Sequence, residues 1–115
     1  MKRKKIGLNY KGKKINLEVY DLDFLERGRG LTFRRREQAP ALLFNLVGKY
    51  KDCLTSFFVF FDFVAVWLDA KDNVLDVKVV KPWTVHTNSK TNWSKIVEIP
   101  INKKYRREIK LLVGN

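Results

Sequence analysis

The sequence predicts an all-β fold, an antiparallel sandwich or a small, partly closed barrel, with one short helix near residues 24–29. Three observations predict it. Leu54–Trp83 is dense in aromatic and β-branched side chains, which pack well on pleated, buried surfaces. Short apolar runs recur between Gly, Pro, Asn and Asp punctuation. The chain has 115 residues, 45% of them hydrophobic, enough for the core of a single domain and too apolar for a disordered tail.

The elements follow in order. Ile6–Tyr10 and Lys14–Tyr20 read as strands joined at Lys11-Gly12, with Ile15, Leu17 and Val19 alternating inward and a frayed basic extension at residues 1–5. Asp23 and Glu26 have the spacing of a capping box and Gly30 that of a left-handed stop, so Phe24–Arg29 reads as the helix. Ala41–Val47, between Pro40 and Gly48, suits a strand covered on both faces. Thr55–Phe61, Phe63–Leu68 and Val74–Val80 read as three more strands, the last two joined by a turn from Asp69 to Asn73. Residues 81–95 read as a long loop, Ile96–Ile101 as a strand that Pro100 places at an edge or a strand end, and Glu108–Val113 as one further strand.

Charge is the outstanding compositional feature. Lys and Arg number 24 against 12 Asp and Glu, a net charge of +12. The excess is uneven: residues 1–14 carry plus seven, 15–26 minus four, 27–36 plus five, 37–80 minus two and 81–115 plus six. Collagen, coiled-coil and low-complexity classes are excluded by composition. One cysteine, Cys53, forms no internal disulfide, and the chain does not open on a charged-then-apolar leader, so a cytoplasmic protein is expected. The most apolar stretch, Leu54–Leu68, is 15 residues long and contains Asp62, short of the about 20 apolar residues of a spanning helix, so no membrane partner is expected.

The strings ERGRGLTFRRR, ALLFNL, TSFFVFFDFVAVWLDAKDNVLDVKVVKPW and KIVEIPIN resemble, in order and spacing, the domain of unknown function family DUF 192, and its archaeal branch in particular. The resemblance spans roughly Glu18–Asn102 and is carried by Glu26, Arg27, Gly30, Leu31, Phe33 and Arg34 and by the run Phe57–Asp69. It implies a compact β-rich fold of about this length with no established catalytic activity. It also implies a structural role for the arginine-glycine motif, with Arg27 and Arg34 pairing carboxylates such as Asp23 and Glu26. The sequence departs from the family at Thr32, Thr55-Ser56, Val59, Asp62 and Val64, where the family commonly has Met, His-Thr, Met, Pro and Asp.

No catalytic constellation stands out. A nucleophile needs an adjacent base, and His86, the one histidine, has no carboxylate close in sequence. One Cys and one His make no zinc site, and Asp69, Asp72 and Asp76 lack the glycine and terminal glutamate of an EF-hand loop. Asp69, Asp72 and Asn73 are better explained as turn formers. Gly28 and Gly30 fall short of a nucleotide-binding fingerprint, which needs three spaced glycines between a strand and a helix. No enzyme activity, metal or cofactor is therefore expected, and the five bulky residues Phe57–Phe61 are read as core.

What remains is basic surface interleaved with aromatic residues. Besides the cations of residues 2–14, the candidate binding residues are Arg34, Arg35, Arg36, Lys103, Lys104, Arg106 and Arg107, with Trp83, His86 and Trp93 placed to stack on unpaired bases. The function expected is non-enzymatic docking of a polyanion, single-stranded nucleic acid or RNA. Two alternatives accompany it. One is a protein-interaction module for an acidic partner or for a strand added beside Pro100; the other is a small-ligand barrel using Thr55, Ser56, Asp62 and Arg34. The sequence sets no oligomeric state.

Overall fold

The computed structural model describes residues 2–21, 39–45, 61–81 and 91–114. They form β1 (Lys2–Tyr10), β2 (Lys13–Asp21), β3 (Leu42–Asn45), β4 (Phe63–Leu68), β5 (Val74–Val80) and β6 (Lys95–Pro100). A 3₁₀ turn, Lys103–Tyr105, then runs into α1 (Arg106–Val113). The strands make one mixed sheet in the order β1-β2-β3-β6-β4-β5, curled into a half-barrel. β1 also meets the turn that leads into β5: the Asn9 N–H donates to the Asp72 carbonyl at 2.9 Å, and the Asn9 and Asn73 backbones form an isolated bridge.

The β1–β2 hairpin forms because its loop residues accept the backbone a tight turn demands. Lys11 (φ 49°) and Gly12 (φ 76°) both take positive φ, which suits the right-handed twist of the flanking strands. The β4–β5 turn is held by one carboxylate. Asp69 Oδ1 accepts from the backbone N–H groups of Lys71 and Asn73 at 2.8 and 2.9 Å, and Oδ2 accepts from Asn73 Nδ2 at 2.9 Å. These bonds favour the ionised form and hold the Asp69 carboxyl below its ordinary range.

Alternation sorts the side chains onto two faces, and both are buried. One apolar cluster gathers Leu8, Leu17, Val19, Val66, Val97 and Ile99 with Tyr105 and Leu112 from the C-terminal segment. The other gathers Leu42, Phe44, Phe63, Ala65, Trp67 and Ile96 with Ala39, Phe61 and Trp93. Strands β4 and β6 sit in the middle of the sheet, and every residue of β4 is buried. A two-sided environment explains the unbroken run FVAVWL.

α1 replaces the expected strand over Glu108–Val113. Tyr105, Ile109 and Leu112 recur at helical spacing and pack on the first cluster. Gly114 (φ 70°) ends the helix, its N–H donating to the Lys110 carbonyl at 2.9 Å. The segment is pinned to the start of β3: the buried Ala41 N–H donates to Tyr105 Oη at 2.8 Å, and Asn102 Nδ2 donates to the Ala39 carbonyl at 3.2 Å. Asn102 also caps the 3₁₀ turn, accepting from the Lys104 N–H at 3.1 Å.

Three further expectations change. The sheet is not wholly antiparallel, because β2 and β3 pair in parallel across the long connection between them. Residues 2–5 are strand, paired with Glu18–Asp21, so the basic extension is part of the hairpin. The third is settled between its two alternatives: Pro100 ends its strand as expected, and β6 lies between β3 and β4, not at an edge. The helix expected at 24–29, its motif residues Asp23, Glu26, Arg27 and Gly30, and the strand from Thr55 up to Phe60 lie outside the described residues.

The Tyr105 hydroxyl gives a direct test of how the C-terminal segment is held. Tyr105→Phe keeps the ring and leaves the buried Ala41 N–H without an acceptor, and is expected to lower the unfolding free energy by about 1–3 kcal/mol in urea titrations. Unchanged stability would show that the bond does not anchor the segment.

Candidate functional site

Folding gathers one of the basic stretches around a groove. Lys103, Lys104, Arg106, Arg107 and Lys110, together with Leu111 and Gly114, line a shallow, open depression of about 690 Å³ on the C-terminal segment. The placement follows from helical geometry: Tyr105 and Leu112 turn into the core, and Arg106, Arg107 and Lys110 are left exposed. Among the described residues no carboxylate lines the depression. Lys104 Nζ lies 6.0 Å from the centre of the Tyr105 ring.

Such a cluster works against its own helix. Arg106 and Arg107 sit in the first turn of α1, where the helix dipole disfavours cations. Lys103 and Arg107, and Arg106 and Lys110, are like charges four residues apart, which destabilises by about a few tenths of a kcal/mol per pair. Glu108 is the one acidic residue in that turn.

The other candidates are placed differently. Trp93 is 3% exposed and packs in the second apolar cluster, so its indole is core and is not presented for stacking on a base. The cations of residues 3–14 belong to the β1–β2 hairpin and do not line the groove. Arg3 lies 3.9 Å from Glu18 there, and Lys11 Nζ lies 5.1 Å from the Tyr10 ring centre. Of the candidate ligand pocket, Asp62 accepts from Lys81 Nζ at 2.8 Å. Arg34, Arg35, Arg36, Thr55, Ser56, Trp83 and His86 lie outside the described residues. Asp72 pairs with Lys95 at 2.6 Å, and Asp76 Oδ1 accepts from the Val77 N–H, so both acids are engaged within the fold. Among the described residues no group of three or more His, Cys, Asp and Glu is placed to hold a metal ion, and no helix is long and apolar enough to cross a membrane.

A second polar feature was not anticipated from the sequence. Glu98, in the middle of β6, is 4% exposed, and it has no hydrogen bond or ion pair with another described residue. Its cross-strand neighbours are Leu42 on β3 and Ala65 on β4, both fully buried. Burial pushes the Glu98 carboxyl up to about 8 from an ordinary 4.5. On the same face, Trp67 is fully buried and its Nε1–H is without an acceptor.

The raised carboxyl fixes the sign of a pH effect. Glu98 is neutral in the fold and ionises freely once unfolded. Its contribution is therefore fully present below pH 4.5 and is lost as pH rises to about 8, at about a factor of ten in the folding equilibrium per pH unit. Glu98→Gln is expected to raise the melting temperature at pH 7 and to flatten the decline between pH 5 and 8. A variant that keeps the wild-type slope would contradict a neutral Glu98.

No protein-family profile matches the sequence, and no curated protein matches it. Solved structures do share its fold. A protein of Sinorhizobium meliloti 1021, provisionally assigned as a transcription regulator, superposes with a TM-score of 0.63 at 17% identity, over 85% of this chain and 77% of that one. A protein of unknown function from Novosphingobium aromaticivorans DSM 12444 superposes with a TM-score of 0.62 at 12% identity, over 91% of this chain and 77% of that one. At these identities the likeness is one of fold, and the chain is similar to both as a curled, β-rich domain.

Proposed function

We propose that this chain is a non-enzymatic, polyanion-binding domain that docks single-stranded nucleic acid or RNA on the groove of its C-terminal helix, and that it is a divergent relative of the DUF 192 family. The observation that carries the binding reading is the ring of Lys103, Lys104, Arg106, Arg107 and Lys110, which no carboxylate of the described residues joins. Neutralising phosphates with such a ring releases condensed counterions, which gives affinity with little sequence preference. The groove is open enough for an extended strand to lie along it, and Leu111 offers an apolar contact between the cations. Support for the family reading is the order of its sequence strings along a β-rich chain of suitable length. Transcription regulators act at nucleic acid, and the Sinorhizobium meliloti protein's provisional assignment agrees in class with this reading.

A second reading, a protein partner that adds a strand to the sheet, is favoured by one observation. The sheet edge opposite β1 is β5, where Leu75 and Val79 stay 38% and 44% exposed. Such an edge suits an added strand, and the acceptor edge would then be β5 and not the strand that carries Pro100.

Fluorescence anisotropy with a short single-stranded RNA separates the two. Binding is expected at low salt, with the log–log salt slope falling by about 0.7 for each phosphate contact removed, so Arg106→Ala with Arg107→Ala should lower it by about 1.4. Substituting Lys11 and Lys13 on the hairpin should leave it nearly unchanged. Absence of binding in dilute buffer, or an equal loss from the hairpin substitutions, would reject the groove.

A further inference from the structure

The two edge strands of the sheet are finished differently. β1, KRKKIGLNY, opens on four consecutive cations, which repel a second strand laid beside it. β5, VLDVKVV, has one Asp and one Lys that cancel, and it keeps Leu75 and Val79 exposed. Among the described residues its one hydrogen-bonded strand neighbour is β4.

Backbone direction along β5 follows from β4. The carbonyls of Asp62, just before β4, and Leu68, at its end, accept from the N–H groups of Ile101 and Ser94 at 3.2 and 2.8 Å. By the alternation of a strand, Val64 and Val66 also turn their backbone groups toward β6. Their antiparallel partners on β5 are Val79 and Val77. In an antiparallel ladder, a residue whose partner turns away turns away as well, which aims the N–H and C=O of Val77 and Val79 out of the sheet. One contact agrees: the Val77 N–H donates to Asp76 Oδ1 at 2.9 Å.

That outward ladder selects its partner. Antiparallel pairing about a two-fold axis at Val77 sets Val77 opposite the partner's Val77, each N–H donating to the other carbonyl. The same register sets Asp76 opposite the partner's Lys78, and Lys78 opposite the partner's Asp76, and brings Leu75 and Val79 beside each other across the seam. Centring the axis on Asp76 or on Lys78 would put like charges opposite each other, which is destabilising. Lys78 is already held on the required face, its ammonium 5.5 Å from the centre of the Trp67 ring. The irregularity opposite Trp67 and Leu68 confines regular pairing to a short segment about Val77.

We propose that the partner of this edge is a second copy of the chain, and that two copies join β5 to β5 across a two-fold axis at Val77 into one continuous sheet. The proposal rests on the reading of β5 as a strand-accepting edge and names its occupant. A two-fold contact uses the same patch on both copies and stops at two, whereas β5 added to β1 of another copy would propagate. On pairing, each Asp76 exchanges its own Val77 N–H for the partner's ammonium, and that N–H passes to a carbonyl. No residue lining the basic groove takes part in this register.

Sedimentation velocity on the full chain tests it, at about 0.15 M salt, where a screening length of about 8 Å subdues the repulsion between copies of net charge +12. Wild type is expected to pass from monomer to dimer, and no further, as its concentration rises to about 1 mM. Asp76→Lys and Lys78→Asp, each alone, set like charges opposite at both pairs and should weaken the dimer roughly tenfold or more; combined, they restore opposite charges and should restore it. Far-UV circular dichroism checks that each variant is folded. In the unsubstituted chain, the Val77 amide should gain protection from hydrogen exchange as the dimer forms, whereas the outer edge of β1 should not. A chain that stays monomeric, growth beyond two copies, or a dimer indifferent to both charge reversals would overturn the proposal. The edge itself is tested apart. If wild type stays monomeric yet an alternating Thr-Val peptide of the length of β5 protects the Val77 amide, self-pairing fails and the edge stands; protection by neither removes both.

Discussion

The pairing of β4 with β6 is the constraint on which the rest of the structure depends. Each has a hydrogen-bonded neighbour on both sides, and both faces of each are covered, so the two strands form the dry centre of the sheet. That centre explains the continuous apolar run of β4 and sets the energetic terms for anything placed within it. Exposed Asp69 keeps its charge in a turn, where three hydrogen bonds favour the carboxylate. Glu98, placed where only apolar neighbours meet it, keeps its proton instead. The same side-chain chemistry takes opposite protonation states because of distance from the β4–β6 pair.

Charge is distributed with the same logic. Several described acids are spent on local tasks: Asp62 on Lys81, Asp72 on Lys95 and Asp69 on its own turn. These pairings tie neighbouring segments together, and among the described residues no carboxylate lines the C-terminal groove. A chain at +12 already repels itself, so concentrating five cations on one short segment does nothing for folding. Under the proposed function, a polyanion would turn this repulsion into attraction.

Much of the sheet was legible in the sequence. Phe63–Leu68 and Val74–Val80 have the predicted boundaries because Asp69 and Asn73 stop both strands with chemistry local to the turn. α1 was not legible as a helix, since the apolar residues of Arg106–Val113 are too few for period two and period 3.6 to be told apart. The parallel pairing of β2 with β3 was also hidden, because it joins segments about twenty residues apart and no local pattern encodes which strands meet. Of the candidate site, the cations of residues 103–107 could be read as exposed simply from their charge. Trp93 could not be read as core, nor Glu98 as buried, because a side chain's depth depends on the whole sheet.

Two places therefore break the rules that the rest of the fold obeys: like charges crowded at a helix start, and a carboxyl and an acceptorless indole N–H in an apolar interior. Substituting apolar side chains of matching shape would be neutral or stabilising at the second, and mixed charge would help the first. Departures of this kind are expected where function, not stability, sets the residue. They also lie on opposite sides of the sheet. α1 packs through Tyr105 and Leu112 on the cluster containing Val97 and Ile99, whereas Glu98 faces the cluster containing Trp67 and Ile96. A strand of nucleic acid along the helix would thus not touch the buried Glu98 face. β3, β4 and β6 each contribute alternate side chains to both clusters, so the two faces are joined through the backbones of these three strands.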